Sequence, residues 1–185
     1  MTGDGTDPKP GAGTPAEAGV DRSARQRRRS GKPGGRLARS AARLAAVQAL
    51  YQMEVTGSGW QQVREEFERH RLGSDIEGLR YADPDIALFR GVLEGVHRRQ
   101  VRIDHLTDDA LNARWPLGRI DATLRALFRA AGYELVEAPE TPAKVVIGEY
   151  VDIAKAFFPN GREPGFVNGV LDHMARDARP GALDG

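Results

Sequence analysis

Apolar side chains recur at steps of three or four residues through almost all of the chain that follows residue 36. Such steps match the period of an α-helix, whereas a half-buried β-strand would alternate at every second residue. No segment sustains that alternation, so the sequence predicts no sheet. The pattern therefore restricts the chain to an all-α fold, a helical bundle in which amphipathic helices bury their apolar faces against one another.

Breaks in this pattern divide the segment into six predicted helices. The first helix carries along one face the apolar residues Leu37, Ala41, Leu44, Val47, Tyr51 and Val55. Gly57 and Gly59 end this helix, and a second, weaker helix runs from Trp60 to His70. Residues 73–82 are predicted to form a loop.

Pairs of a capping residue and a proline mark the starts of two later helices. Asp83–Pro84 begins the third helix, the longest of the six, and Thr141–Pro142 begins the fifth. Pro116 and Gly118 interrupt the pattern before the fourth helix. The fifth helix is apolar on more than one side, so we expect it to lie at the centre of the fold. The sixth runs from about residue 165 to residue 178.

Residues 1–35 differ in composition from the rest, because they are rich in glycine and proline and hold almost no large apolar side chain. Such a segment cannot bury enough apolar surface to offset its ordering entropy. Between Val20 and Arg43, nine basic side chains accompany one acidic residue, although the whole chain has a net charge of +1. We therefore predict one all-helical domain over residues 36–180, preceded by a disordered basic N-terminal arm.

Composition excludes several classes of protein. The 185 residues include no cysteine, which rules out disulfides, thiolate metal sites and cysteine nucleophiles. No run of apolar residues is long enough for a transmembrane helix, and the first thirty residues lack the apolar segment of a secretory signal. These features favour a cytoplasmic protein that has no membrane partner.

Three segments carry the most specific patterns in the chain. They are Ala46-Val-Gln-Ala-Leu-Tyr51, Lys144-Val-Val-Ile-Gly-Glu-Tyr-Val-Asp-Ile-Ala-Lys155 and Gly165-Phe-Val-Asn-Gly-Val-Leu-Asp172. Together with Tyr133-Glu-Leu135, these segments resemble the NusB family of bacterial transcription antitermination factors in their order and approximate spacing. The resemblance extends from about residue 39 to residue 176.

The resemblance implies an all-helical fold of two three-helix sub-bundles. It also implies that the protein binds boxA, a short single-stranded RNA element, jointly with the ribosomal protein NusE. The assembly would then join the RNA polymerase antitermination complex and promote processive transcription of ribosomal RNA operons. A protein of this kind catalyses no reaction and needs no cofactor.

Basic side chains at the start of the first helix are the leading candidates for RNA phosphate contacts. Arg39 and Arg43 are four residues apart, so they share one helix face, and they match the basic N-terminal helix of the family. We add Arg36 from the same segment, and Lys144 at the start of the fifth helix. Such contacts supply affinity that does not depend on RNA sequence.

The resemblance places two aromatic side chains, Tyr51 and Phe166, at the RNA surface, where their rings would stack on unpaired bases. Each has a structural alternative, because Tyr51 also lies on the apolar stripe and Phe166 would seal its helix against the core. Asn168 would read a base edge or, as the simpler alternative, hold a neighbouring loop by hydrogen bonds. Glu149 and Asp172 are expected to be structural or to face a partner protein.

Other classes of function find less support in the sequence. Glu94 and His97 have the Glu-x-x-His spacing of helical-bundle metal sites, but no second such pair accompanies them. We therefore predict no metal site and no catalytic residue. The remaining alternative is a helical protein-assembly module that forms a homodimer and carries a nonspecific basic tail.

One departure from the family pattern is Gly148, which stands where a polar residue such as asparagine is expected and which weakens a helix.

Overall fold

The computed structural model describes residues 35–72, 84–111 and 115–184. Within these ranges the regular structure consists of six α-helices and one short 3₁₀ turn, with no strand. The helices are α1 (Arg36–Thr56), α2 (Trp60–His70), α3 (Ile86–Ala110), α4 (Ala122–Glu137), α5 (Ala143–Phe157) and α6 (Glu163–Ala178), and the 3₁₀ turn covers Leu117–Arg119. The predicted all-α fold is confirmed. The predicted basic arm, apart from Gly35, and the predicted loop over residues 73–82 lie outside the described residues.

The helices form two groups of three, as the family resemblance implies. Helices α1, α2 and α3 all pack against one another, and so do α4, α5 and α6. The groups join mainly where α4 packs against α1 and α3. None of the helices in the described ranges is both long enough and apolar enough to cross a lipid bilayer.

Helix α4 lies at the centre of the fold, and the expectation that the fifth helix would do so is wrong. Helix α4 packs against α1, α3, α5 and α6, because small residues on several of its sides let neighbouring helices approach closely. At Gly132 an added Cβ would lie 2.6 Å from Ile103 Cγ2, and at Gly95 of α3 it would lie 1.9 Å from the ring of Tyr133. Glycine is thus required at both positions for α3 and α4 to pack at this distance.

The apolar stripe predicted for the first helix is mostly not the face that the structure buries. Leu37 is 73% exposed and Val55 is 59% exposed, and of the predicted stripe only Val47 is fully buried. The buried face carries instead Ala42, Arg43, Ala45, Ala46, Val47, Ala49 and Leu50. The predicted stripe follows the larger apolar residues. In the structure α3 and α4 approach α1 closely, so the alanine-rich face is the one that is buried.

Three observed helix starts differ from the predicted ones. The cap of α3 is Asp85, whose carboxylate accepts a hydrogen bond of 3.0 Å from the Leu88 amide, whereas Asp83 lies outside the described residues. Helix α5 begins after Pro142 without a side-chain cap, because the buried Thr141 hydroxyl instead accepts a hydrogen bond from Arg39. The last helix begins at Glu163, two residues before the predicted start.

Candidate nucleic-acid interface

The three arginines at the start of α1 have three different environments. The Arg36 side chain is almost fully exposed, and its Nε lies 3.8 Å from Glu149 Oε1. Arg39 is half-buried, and its Nη2 donates a hydrogen bond of 2.8 Å to Thr141 Oγ1. Arg43 is only 2% exposed. The helix thus offers Arg36 fully, and Arg39 in part, to a ligand in solvent.

Arg43 belongs to a buried polar cluster that joins α1 to α4 and α5. Its Nε and Nη2 donate to the two carboxylate oxygens of the fully buried Glu134, at 2.8 and 2.7 Å. Tyr150 of α5 donates its hydroxyl to the same carboxylate at 2.9 Å. The remaining Nη1 of Arg43 lies 3.4 Å from Glu149, which also accepts a hydrogen bond of 2.5 Å from Ser40. We call Arg43, Glu134 and Tyr150 the buried triad.

The position of Arg43 does not suit the phosphate contact expected from the sequence. All three of its nitrogen atoms face carboxylates of its own chain, and almost none of the side chain reaches solvent. Arg43 and Arg39 do share one face of α1 at a spacing of four, but that face turns inward at Arg43. Spacing alone could not distinguish the solvent-facing arginines from one that pairs with Glu134.

Burial and pairing shift two pKa values in the buried triad. Burial acts to lower the pKa of Arg43, but the hydrogen bond and the Coulombic attraction of Glu134 outweigh it, so this pKa lies above its ordinary value. Burial also raises the pKa of Tyr150 well above its usual value, and the Glu134 carboxylate adds to the shift. Tyr150 is therefore held as a neutral hydrogen-bond donor.

Tyr150→Phe should make the stability of the protein less sensitive to alkaline pH. Because the Tyr150 pKa is raised in the folded state, its contribution is present below the unfolded-state pKa of about 10 and is lost as the pH rises above it. The difference in unfolding free energy between wild type and Tyr150→Phe should therefore shrink by up to about 1.4 kcal/mol per pH unit above about pH 10. Urea unfolding followed by circular dichroism between pH 8 and 11 measures this difference in unfolding free energy. A difference that stays constant over this range would contradict the raised pKa of Tyr150.

A cleft of about 560 Å³ lies between the start of α1 and the solvent-facing side of α5. It is lined by Arg36, Arg39, Arg43, Val145, Gly148, Glu149 and Asp152. Sequence reasoning selected the arginines but not Val145 or Asp152, because nothing in the spacing showed that α5 would face the first turns of α1. Lys144, the remaining predicted cation, is exposed on the first turn of α5.

The two aromatic candidates are both partly exposed. Tyr51 is 41% exposed on α1 and Phe166 is 39% exposed on α6. The Phe166 ring also meets the buried Phe128 edge-on, with 6.0 Å between ring centroids. Phe166 therefore packs against the core, as its structural alternative requires, while part of its ring stays exposed to solvent.

Asn168 is exposed on α6, and in the described part of the chain its side chain holds no neighbouring loop by a hydrogen bond. Asp172, on the same helix, accepts a hydrogen bond of 3.0 Å from Arg176 Nε at the surface. Glu149 is structural, because it holds Ser40 and faces the buried Arg43. Asn168 thus keeps its amide group available to a ligand.

The metal alternative gains no support from the described ranges. Among residues 35–72, 84–111 and 115–184, no group of three or more histidine, aspartate or glutamate side chains is arranged to hold a metal ion. Glu94 instead faces Arg98 at 3.6 Å, and the His97 ring lies 5.7 Å from the ring of Trp60.

These features define a class of protein: a small all-helical protein with a surface cleft lined by arginine and carboxylate side chains, and with two partly exposed aromatic rings. Comparison with known proteins then gives the family. A family model described as "NusB family" matches residues 40–176, and the chain belongs to the NusB family. Its curated relatives are named transcription antitermination proteins, which places the chain with transcription factors and not with enzymes.

Curated relatives agree with this assignment over most of their length. The chain is 56% identical to the transcription antitermination protein NusB of Nitrobacter hamburgensis over 143 aligned residues. The aligned segment covers 77% of this chain and 89% of the relative. It is 47% identical over 160 residues to the protein of the same name from Agrobacterium fabrum, covering 86% and 95% of the two chains.

Solved structures show the same fold. NusB from T. maritima superposes with a TM-score of 0.64 at 28% identity, covering 78% of this chain and 96% of that one. A structure described as antitermination factors NusB and NusE in complex with dsRNA superposes with a TM-score of 0.61 at 19% identity, covering 75% and 96%. At that identity the second likeness concerns the fold alone.

Proposed function

We propose that this protein is a transcription antitermination factor that binds boxA-type single-stranded RNA together with ribosomal protein NusE. It acts in the bacterial cytoplasm, within an RNA polymerase antitermination complex on ribosomal RNA operons. The observation that carries the proposal is the 56% identity to a protein named for transcription antitermination, over 89% of that relative. The neighbour described as antitermination factors NusB and NusE in complex with dsRNA supports NusE as a partner and RNA as the class of ligand.

The surface chemistry supports an RNA ligand. Arg36, Arg39 and Lys144 supply positive charge for the phosphate backbone. The exposed rings of Tyr51 and Phe166 supply faces on which bases would stack, and stacking requires bases that are not already paired.

Two further residues fill different roles in this interface. Asn168 offers an exposed amide to a base edge. Arg43 acts from beneath the surface: it fixes the start of α1 against Glu134 and thereby positions Arg36 and Arg39.

Arginine and aromatic substitutions should weaken RNA binding in two distinguishable ways. Arg36→Ala combined with Arg39→Ala removes phosphate contacts, so the slope of log affinity against log salt should flatten by about 1.4, at about 0.7 per phosphate on a single strand. Tyr51→Ala should weaken binding about tenfold through lost stacking and leave that slope unchanged. Fluorescence anisotropy with a labelled RNA over a salt series measures both quantities.

Arg69→Ala provides the matched control, because Arg69 is an exposed arginine on α2 that pairs with Glu65 four residues away. It should leave both affinity and slope unchanged. If Arg69→Ala flattened the slope by about half as much as the α1 double variant, which is the same change per arginine, the binding would arise from overall charge and not from this interface.

One observation favours the alternative of a protein-assembly module. Leu37, Tyr51 and Val55 are exposed apolar side chains on one side of α1, and grouped exposed apolar side chains favour an interaction surface. A dimer that persists in analytical ultracentrifugation, and that added RNA neither dissociates nor binds, would support this alternative over RNA binding.

A further inference from the structure

Gly148 lies at the floor of the α1–α5 cleft and has no role within the fold that requires glycine. It occupies the middle of α5, its backbone is helical, and a Cβ added there would meet nothing within 4 Å. Glycine in a helix interior is less stable than alanine. The contrast with Gly95 and Gly132, where a Cβ would collide with a neighbouring helix, shows that packing does not explain Gly148. What it does provide is a floor on which a flat group can lie against the helix backbone.

The cleft has cations at one side and a carboxylate available at the other. Arg36 and Arg39 come from α1, and Asp152 comes from α5, one turn beyond Gly148. Glu149 is already engaged by Ser40 and faces Arg43. Asp152, by contrast, is exposed and is paired with Lys155 of its own helix at 2.8 Å. Exposed pairs of this kind contribute little, so a ligand can replace the lysine at small cost.

The volume and the chemistry of the cleft suit one nucleotide. About 560 Å³ lies within the usual range of small-ligand pockets, roughly 300–1,000 Å³. Arginine is suited to phosphate, and a carboxylate has two acceptor oxygens and no donor. Among the RNA bases, guanine presents two adjacent donors on its Watson–Crick edge, N1–H and the N2 amino group, which a carboxylate can accept together.

We propose that the α1–α5 cleft is a subsite for a single unpaired guanine, with its phosphate on Arg36 and Arg39, its ring over Gly148, and its N1–H and N2–H donated to Asp152. This proposal rests on the proposed RNA-binding function and adds the base that the cleft selects. Asp152 determines the base, and Gly148 provides the space for it.

The test uses oligouridine of about 12 nucleotides, a length within the usual site sizes of single-strand binders, carrying one central guanosine, inosine or uridine. Inosine keeps N1–H but lacks the N2 amino group. By fluorescence anisotropy, the wild type should bind the guanosine strand about tenfold more tightly than the uridine strand, as expected for a bidentate contact, and inosine should lose most of that gain. Asp152→Asn should bind the guanosine and inosine strands equally.

Two variants complete the design. Asp109→Asn removes an exposed carboxylate of α3 and should keep the guanosine preference, which controls for the change in net charge. Gly148→Ala should raise the melting temperature, because alanine favours the helix, while it reduces the guanosine preference. A Gly148→Ala protein with an unchanged preference would refute the role given to the cleft floor.

The outcomes separate the two proposals. Equal binding of the guanosine, inosine and uridine strands by the wild type would overturn the guanine subsite and leave RNA binding intact. Failure of the wild type to bind any of these strands, and boxA as well, would overturn the proposed function itself.

Discussion

Replacing Glu134 by alanine is expected to lower the free energy of unfolding by about 3–5 kcal/mol, the cost of removing one partner from a buried ion pair. Arg43 would then keep its charge inside the protein with neither of its two strongest hydrogen bonds, and Tyr150 would lose its acceptor. Domains of this kind are stable by only about 5–15 kcal/mol, so the loss is a large part of the total. Urea unfolding followed by circular dichroism measures it.

Two variants isolate the cause. Glu137→Ala removes an exposed carboxylate of the same helix, paired with Arg99 at 3.1 Å, and should cost less than about 1 kcal/mol. The triple variant Arg43→Met, Glu134→Leu and Tyr150→Phe replaces all three polar groups of the buried triad by apolar groups and should recover most of the stability that Glu134→Ala loses. If Glu134→Ala and Glu137→Ala had equal effects, the buried triad would not join the helices as described.

The second large effect is expected at Arg179, immediately after α6. Its guanidinium donates to the carbonyl oxygens of Glu134, Leu135, Ala138 and Thr141 at 2.5–2.7 Å. These carbonyls lie at and beyond the end of α4, where a cation is favourable. The carbonyl oxygens of Glu134 and Ala138 also accept backbone hydrogen bonds from the amides of Ala138 and Thr141, so Arg179 is their second donor. Arg179→Ala should therefore lower the unfolding free energy by about 3 kcal/mol.

Arg179→Lys should recover only a part of this loss, because an ammonium group keeps the charge but not the planar array of donors. Arg176→Ala is the control, since Arg176 forms a surface pair with Asp172 one turn earlier on the same helix. Thermal and urea unfolding should show little change for Arg176→Ala. Equal effects of Arg176→Ala and Arg179→Ala would refute the capping role.

Within the described ranges, sequence periodicity predicts the six helices that the structure shows, because each helix must turn apolar residues inward. Helix α2 was placed at its observed limits, Trp60 and His70. Periodicity failed where small residues decide the packing. On α1 the core receives an alanine-rich face, and Leu37 and Val55 stay exposed. Which face a helix buries depends on its neighbours, and these are not encoded in its own spacing.

The candidate interface shows a similar limit. Arg36, Arg39 and Arg43 look alike in the sequence, yet only the structure shows that Glu134 lies opposite Arg43. Glu134 is more than ninety residues away along the chain, so no local pattern predicts the pair. Gly148 is a poor helix former in the middle of α5, and only the structure shows that it lines the α1–α5 cleft.

Binding of boxA RNA in the presence and absence of NusE tests the central claim most directly. Fluorescence anisotropy would compare a labelled boxA strand with a scrambled strand of the same composition over a salt series. We expect tighter binding of boxA than of the scramble, with a further gain when purified NusE is added. Equal binding of the two strands, unaffected by NusE, would contradict it and leave a helical scaffold with a nonspecific basic surface.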